Sequence, residues 1–144
     1  MNRNRLLKRI EKHEGYRQFV YLCPAGKLTL GIGRNVDEDG GKGISRAEAK
    51  VLLSNDVDVF ADQLSLTYAW FNYLDDIRKE AMVEMAFQLG MGGFSKFRNM
   101  IMAMGDRHHV KAALEMIDSR WHEQTPARCE ELAEMVRTGE CDAG

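Results

Sequence analysis

Three side chains near the N-terminus could together hydrolyse a bond: Glu14, Cys23 and Thr29. A protonated glutamic acid can donate a proton to a leaving group. A thiol or thiolate and a hydroxyl can position or deprotonate a water molecule. Eight residues separate Glu14 from Cys23, and five separate Cys23 from Thr29. These residue types could support acid-assisted hydrolysis by an activated water, although each of them taken alone is more often an ordinary structural residue.

The flanking pattern predicts the elements that must position these side chains. Apolar residues recur at helical spacing before Gly15, so Glu14 should occupy the C-terminal end of a first helix. The negative end of the helix dipole disfavours another negative charge there, which favours the protonated form that a donor needs. The aromatic and glycine-rich segment 19–33 predicts a hairpin that carries Cys23 and Thr29.

The remainder of the chain is predicted to be helical. Ser45 and Glu48 form a capping box, which starts the next helix. The helix after that is apolar nearly all round, which indicates burial at the domain centre, and glycines from Gly90 onward should end it. Thr125 and Pro126 should start the last helix. The predicted helices cover approximately 45–64, 74–89, 96–104, 106–119 and 126–137. The fold class is therefore α+β, with a small hairpin lobe and a larger helical lobe.

Length and composition indicate one soluble globular domain over residues 1–144, with lobes of about 1–60 and 61–144. The chain is 44% apolar and 29% charged, with a net charge of -2. This charge argues against nucleic acid as a partner. Because no run of about 18 apolar residues occurs, we expect no membrane insertion. The basic N-terminus lacks the apolar region of a signal peptide, so synthesis in a cytoplasm without a Sec route is expected.

Each candidate side chain also has an ordinary structural explanation, and the surrounding sequence favours chemistry over it. The segment resembles the catalytic stretch of the T-even type of phage lysozymes, glycoside hydrolase family 24, in which a Glu, eight residues, an Asp or Cys, five residues and a Thr follow one another. The family pattern is also matched by the flanking residues Glu14-Gly15, Arg17, Tyr21 and Thr29-x-Gly31-Ile32-Gly33. Four later segments match it as well: 44–58, 86–90, 119–128 and 137–139. The resemblance thus spans nearly the whole chain in the family's order.

The resemblance implies a role for each matched residue. Glu14 would protonate the glycosidic oxygen, Cys23 would occupy the position of the second carboxylate, and Thr29 would hold the attacking water. Arg128 would orient Glu14 across a cleft, where a cation favours the ionised acid and opposes the helix dipole. Saccharide-binding residues on the two lips of the cleft would be Gly33, Asn35, Phe87, Gln88 and Thr125.

The implied function is a muramidase that hydrolyses the β-1,4 bond between N-acetylmuramic acid and N-acetylglucosamine in peptidoglycan. No metal or cofactor is expected, and the enzyme should work as a monomer. By analogy with the family it is an endolysin, held in the host bacterial cytoplasm until a holin-type membrane lesion lets it reach the wall in the periplasm.

Two departures from the usual family pattern affect the chemistry. Cys23 stands where Asp is commoner, and a thiol with an ordinary pKa of about 8.5 is mostly protonated at pH 7. Its surroundings must lower that pKa if it is to act, either as a base that gives inversion or as a nucleophile that gives retention. Arg34 replaces a frequent His, and we expect it to form an ion pair with Asp56.

Two alternatives to the hydrolase stay open from the sequence. Cys23 could mark lost chemistry in a peptidoglycan-binding homologue with weak activity, although Glu14, Thr29 and Arg128 are all retained. A lytic transglycosylase would need only the acid and would form an anhydro sugar. The retained Thr29 argues against it, because that reaction requires no positioned water.

Overall fold

The computed structural model describes residues 1–142, which form two compact units: Met1–Leu52, and the chain from Leu53 onward. The elements among these residues follow in chain order. The α-helices are α1 Arg3–Glu14, α2 Arg46–Thr67, α3 Asp76–Ser95, α4 Arg98–Gly105, α5 His109–Ile117, α6 Arg120–Gln124 and α7 Pro126–Thr138. The strands are β1 Arg17–Leu22, β2 Leu28–Gly31 and β3 Arg34–Asn35, and a 3-10 helix covers Ala69–Tyr73. The predicted α+β class is confirmed.

The first unit begins with α1, which ends where the sequence predicts. Asn2 caps its start by accepting a hydrogen bond from the Arg5 amide at 2.9 Å. Gly15 ends it at φ 71°, and its amide donates to the Glu11 carbonyl at 2.8 Å. A positive φ is easiest for glycine, which lacks the Cβ that clashes there. Glu14 is therefore the last residue of α1, as predicted.

A three-stranded antiparallel sheet follows α1, in the order β1-β2-β3. Thr29 of β2 pairs with Tyr21 on one side and with Asn35 on the other. The pairing of β1 with β2 is irregular between Arg17 and Tyr21. The predicted hairpin is confirmed, and the short β3 adds a strand that makes Thr29 part of the central one.

Helix α2 starts with the predicted capping box. The Ser45 amide donates to the Glu48 carboxylate at 2.9 Å, and the Glu48 amide donates to the Ser45 hydroxyl at 3.1 Å. These reciprocal bonds satisfy two amides that have no partner within the helix. The helix continues to Thr67, one turn beyond the predicted end near Leu64.

Helix α3 is the central helix of the second unit, and its C-terminal end differs from the prediction. Asp75 caps its start by accepting from the Arg78 amide at 3.1 Å. Gly90 has φ 72° and ψ 164°, which breaks the helical geometry, but helical turns resume and continue to Ser95. The predicted end at Gly90 is confirmed as a break in the helix, whereas Gly92 and Gly93 lie in the further helical turns that follow the kink.

The core of the second unit is formed mostly by Ala, Met and aromatic side chains. Its fully buried large residues are Leu64, Met82, Met85, Phe94, Met100, Met104, Met116, Cys129, Leu132 and Val136. Flexible methionines can fill the irregular spaces between helices that cross at different angles. The predicted burial of α3 is confirmed, since five of its residues are buried. Among residues 1–142, no helix is both long and apolar enough to cross a membrane.

Candidate active site

Glu14 lies beside the turn that joins β2 to β3. Gly33 in that turn has φ 70°, and a Cβ added to it would lie 2.7 Å from Oε2 of Glu14 and 2.8 Å from its Cδ. Both distances are shorter than a van der Waals contact, so only glycine leaves room for the carboxyl group. The glutamate side chain is otherwise exposed. The structure therefore brings together two predicted site residues, the acid and the turn glycine.

Cys23 follows β1 and opens the turn to β2. Its amide donates to the Lys27 carbonyl at 2.9 Å, and its own carbonyl accepts from the Gly26 amide at 2.8 Å. Gly26 has φ 76°, which lets the chain reverse within this short turn. The thiol is half-buried. The turn thus holds the sulfur at a defined place beside the start of β2.

Hydrogen bonds lower the pKa of the Cys23 thiol. The largest cause is the backbone hydrogen bond from Lys27, which is opposed by partial burial and supported by a backbone bond from Ala25 and a side-chain bond from Thr29. Donors that point at the sulfur stabilise its anion more than its neutral form. Cys23 therefore lies in surroundings that favour a thiolate.

Thr29 lies against Cys23 and is held firmly. Among residues 1–142 it is the one buried polar or charged side chain, with 4% of its surface exposed. Its hydroxyl donates to the Lys27 carbonyl at 2.9 Å and also lies within hydrogen-bond reach of the Cys23 sulfur. Because a hydroxyl carries one proton, it can serve the carbonyl or the thiolate, but not both at once.

The polar loop after β3 forms hydrogen bonds and an ion pair with the residues that precede Thr29. The Asp37 carboxylate accepts from the Leu28 amide at 3.0 Å and from the Asp39 amide at 2.9 Å, and these bonds lower its pKa. Lys27 contacts Asp39 at 2.6 Å. The side chain of Asn35, a predicted saccharide ligand, accepts from the Asp37 amide at 3.0 Å. Asn35 thus lies in β3, with its side chain bonded to the loop that follows, and its contact with saccharide stays a prediction.

Arg34 contacts a different carboxylate from the predicted one. It donates to both oxygens of Glu48, from Nη1 at 3.0 Å and from Nη2 at 2.6 Å, and to the Gly43 carbonyl at 3.1 Å. The prediction of an Arg34–Asp56 ion pair is wrong. Glu48 is in the first turn of α2, whereas Asp56 lies eight residues, or about 12 Å, further along the helix. Hydrogen bonds from Arg34, with those from Ser45, lower the pKa of Glu48 to about 2.

In the second unit, the structure brings Gln88 and Thr125 together. The Gln88 amide donates to the Thr125 hydroxyl at 3.1 Å, and the buried Trp121 indole donates to the Gln88 oxygen at 2.9 Å. Thr125 precedes α7, and Pro126 is its first residue, as predicted. Thr125 is the N-cap residue, also as predicted, but its hydroxyl accepts from Gln88 and makes no hydrogen bond to α7.

Phe87 and Arg128 line a groove of about 750 Å³ in the second unit, together with side chains of α2 and α3. Phe87 is 38% exposed and contacts Phe60 edge to face, with ring centroids 6.0 Å apart. Arg128 donates from Nε to the Glu84 carboxylate at 3.0 Å. Its predicted approach to Glu14 stays a prediction.

Three participants were not predicted as site residues: Lys27, Glu48 and Trp121. Lys27 acts through its backbone, which leaves no signal in residue type. Glu48 was identified as half of a capping box, but its second role with Arg34 has no local signature. Trp121 lies within the matched segment 119–128, and its closeness in sequence to Thr125 was the one feature that could have indicated a part in the site. Within residues 1–142, no three His, Cys, Asp or Glu side chains are arranged to hold a metal ion.

Comparison with known proteins shows the family of the chain. The phage lysozyme family model matches residues 11–137. A protein of Dictyostelium discoideum named "Probable T4-type lysozyme 2" is 26% identical over 88% of this chain and 89% of its own length. The pre-baseplate central spike protein Gp5 of Enterobacteria phage T4 is 30% identical over 81% of this chain and 20% of its own. Peptidoglycan hydrolase gp36 of Pseudomonas phage phiKMV is 26% identical over 85% of this chain and 14% of its own. The chain therefore belongs to the phage lysozyme family and is a lysozyme-type glycoside hydrolase.

Proposed function

We propose that this enzyme is a muramidase that hydrolyses the β-1,4 bond between N-acetylmuramic acid and N-acetylglucosamine in peptidoglycan. The observation that carries the proposal is that the first unit holds two chemically distinct groups. One is an exposed carboxyl group at the end of α1, and the other is a thiol among hydrogen-bond donors. An acid and a base in different surroundings are what glycoside hydrolysis requires.

Glu14 is the proton donor in this mechanism. Its carboxyl group protonates the glycosidic oxygen as the bond to the sugar breaks, and the sugar carbon acquires positive charge. Gly33 leaves the space in which the carboxyl group lies. Since the side chain is exposed, it can reach a bound saccharide without a change in the fold.

Cys23 is the base that activates water. As a thiolate it takes a proton from the water that attacks the sugar carbon, and Thr29 holds that water through its hydroxyl. The lowered pKa of the Cys23 thiol supports this role, because the thiolate is the form that accepts a proton. Attack by water from the side opposite the leaving group inverts the configuration at the sugar.

Activity towards permeabilised bacterial cells tests these roles in four proteins: wild type, Glu14→Gln, Cys23→Ser and Cys23→Asp. We expect activity to be lost in Glu14→Gln and in Cys23→Ser, and to be kept in Cys23→Asp, because aspartate is ionised at neutral pH. Full activity of Cys23→Ser would remove the thiol from the mechanism. The released sugar ends are identified by mass spectrometry, and anhydro ends would replace the hydrolase with a transglycosylase.

The proposal extends to the route by which the enzyme meets its substrate. We propose a monomer that stays in the host cytoplasm until a holin-type lesion opens the membrane, and that then acts on the wall in the periplasm. Family resemblance supports this part. Expression in bacteria with and without a holin tests the route, because lysis should need both proteins. Sedimentation of the purified enzyme tests the monomeric state.

A further inference from the structure

Arg34 and Glu48 join the turn beside Glu14 to the start of α2. Arg34 directly follows Gly33, and its guanidinium contacts both carboxylate oxygens of Glu48, at 3.0 Å and 2.6 Å. A third bond runs from Arg34 to the Gly43 carbonyl at 3.1 Å. A two-pronged contact of this kind restricts orientation as well as distance. The backbone beside Gly33 is therefore tied to α2 in a defined direction.

Glu48 is itself held in place from the other side. The Ser45 amide donates to the same carboxylate oxygen that accepts from Arg34, at 2.9 Å. Glu48 thus belongs to the capping box and to the ion pair together. The contacts run in series from the α2 N-terminus through Glu48 and Arg34 to Gly33, and from there to the carboxyl group of Glu14.

Glu14 needs such support because its own helix provides little. No residue of α1 is buried, and the Glu14 side chain is exposed. An exposed glutamate samples several rotamers unless a neighbour restricts it. The contact with Gly33 supplies a wall on one side of the carboxyl group. The direction in which Glu14 would deliver a proton therefore depends on the position of the Gly33 backbone.

We propose that Arg34 and Glu48 are positioning residues for Glu14, holding Gly33 against its carboxyl group in the geometry that delivers the proton. The inference rests on the proposed role of Glu14 as proton donor. A merely structural ion pair at a half-exposed site would change stability slightly and leave turnover unchanged. A positioning pair changes turnover, because a shift of about 1 Å in a reacting group can reduce the rate on the order of a hundredfold.

Three variants separate the two roles of Glu48. Glu48→Gln keeps an acceptor for the capping box, since glutamine also serves at that position, but it removes the charge that pairs with Arg34. Arg34→Gln removes the other half of the pair. Ser45→Ala is the matched control, because it removes the hydroxyl that accepts from the Glu48 amide, while the backbone bond from residue 45 to Glu48 and both members of the pair stay in place.

We expect kcat on soluble peptidoglycan fragments to fall roughly tenfold or more in Glu48→Gln and in Arg34→Gln, with KM within about twofold of wild type. The double variant should lose no more than either single variant, since the two residues act as one unit. Ser45→Ala should keep kcat within about twofold of wild type, although its unfolding temperature falls.

Either of two results would overturn the inference: wild-type kcat in Glu48→Gln, or a loss in Ser45→Ala as large as that in Glu48→Gln. Glu14→Gln is measured in the same assay to keep the two proposals distinguishable. If Glu14→Gln is inactive while Glu48→Gln has wild-type kcat, the proton donor stands and the positioning pair is wrong. If Glu14→Gln is fully active, the proposed function fails, and the positioning of Glu14 fails with it.

Discussion

The Gly33→Ala variant tests how closely the turn between β2 and β3 controls the acid. The new methyl carbon would lie 2.7 Å from Oε2 of Glu14, 2.8 Å from its Cδ and 3.0 Å from its Cγ. Carbon and oxygen atoms in ordinary contact are about 3.5 Å apart. The carboxyl group must therefore move by roughly 0.7 Å or more. Because the glutamate is exposed, it can do so by changing rotamer without disturbing a core.

The expected effect on rate exceeds the effect on stability. Alanine at φ 70° adds backbone strain of about 1–2 kcal/mol, which for a chain of this size lowers Tm by roughly 2–8 °C. A displacement approaching 1 Å at the proton donor lowers kcat by on the order of a hundredfold, or about 2.7 kcal/mol in the barrier. The assay is turnover of soluble peptidoglycan fragments, with thermal unfolding measured on the same samples.

Gly31→Ala is the matched control for this experiment. Gly31 has a similar φ of 67°, but a Cβ added there would meet no atom within 4 Å. It therefore introduces the same kind of strain without touching Glu14. We expect a similar loss of stability and a kcat close to wild type. If Gly33→Ala keeps wild-type kcat, or if both variants lose the same turnover, the turn does not position the acid.

Three further predictions concern the thiol, the ion pair and the side-chain amide of Gln88. In the proposed mechanism Cys23 acts as a thiolate, so turnover should fall as the pH drops through its pKa, and Cys23→Asp should move this fall to lower pH in a kcat–pH profile. The contact with Arg34 lowers the pKa of Glu48 to about 2, so its contribution to stability is complete above the ordinary glutamate pKa of about 4.3 and is lost as the pH falls towards 2. Thermal unfolding between these pH values should therefore show a steeper loss in wild type than in Glu48→Gln. Gln88→Ala leaves the buried Trp121 indole without its acceptor, so the free energy of unfolding should fall by about 1–3 kcal/mol, and an unchanged value in chemical denaturation would contradict the assignment.

Local features of the site were predictable from the sequence because they depend on residues that are close together in the chain. The end of α1 at Glu14 follows from the glycine after it, and the start of α2 follows from the Ser45–Glu48 capping box. The hairpin follows from its turn and strand formers. The spacing of Glu14, Cys23 and Thr29 also carried the family resemblance, which the match over residues 11–137 confirms.

Only the tertiary structure decided which side chains meet. From the sequence, several carboxylates were possible partners for Arg34. The folded turn brings it to Glu48 rather than to Asp56. Thr125 has a side chain typical of a helix cap, yet its hydroxyl is directed to Gln88. The partner of each side chain depends on the packing of segments that are distant in sequence, so no local sequence pattern predicts it.

The chemistry of the thiol shows the same division. The family resemblance implied that Cys23 occupies the second catalytic position, and it raised the question of how a thiol could act there. The answer depends on backbone donors, chiefly the Lys27 amide, whose direction is set by the fold and not by side-chain identity. The sequence therefore determined which groups could react, while the tertiary structure decided how they are oriented and how readily the Cys23 thiol ionises, because both depend on neighbours in space.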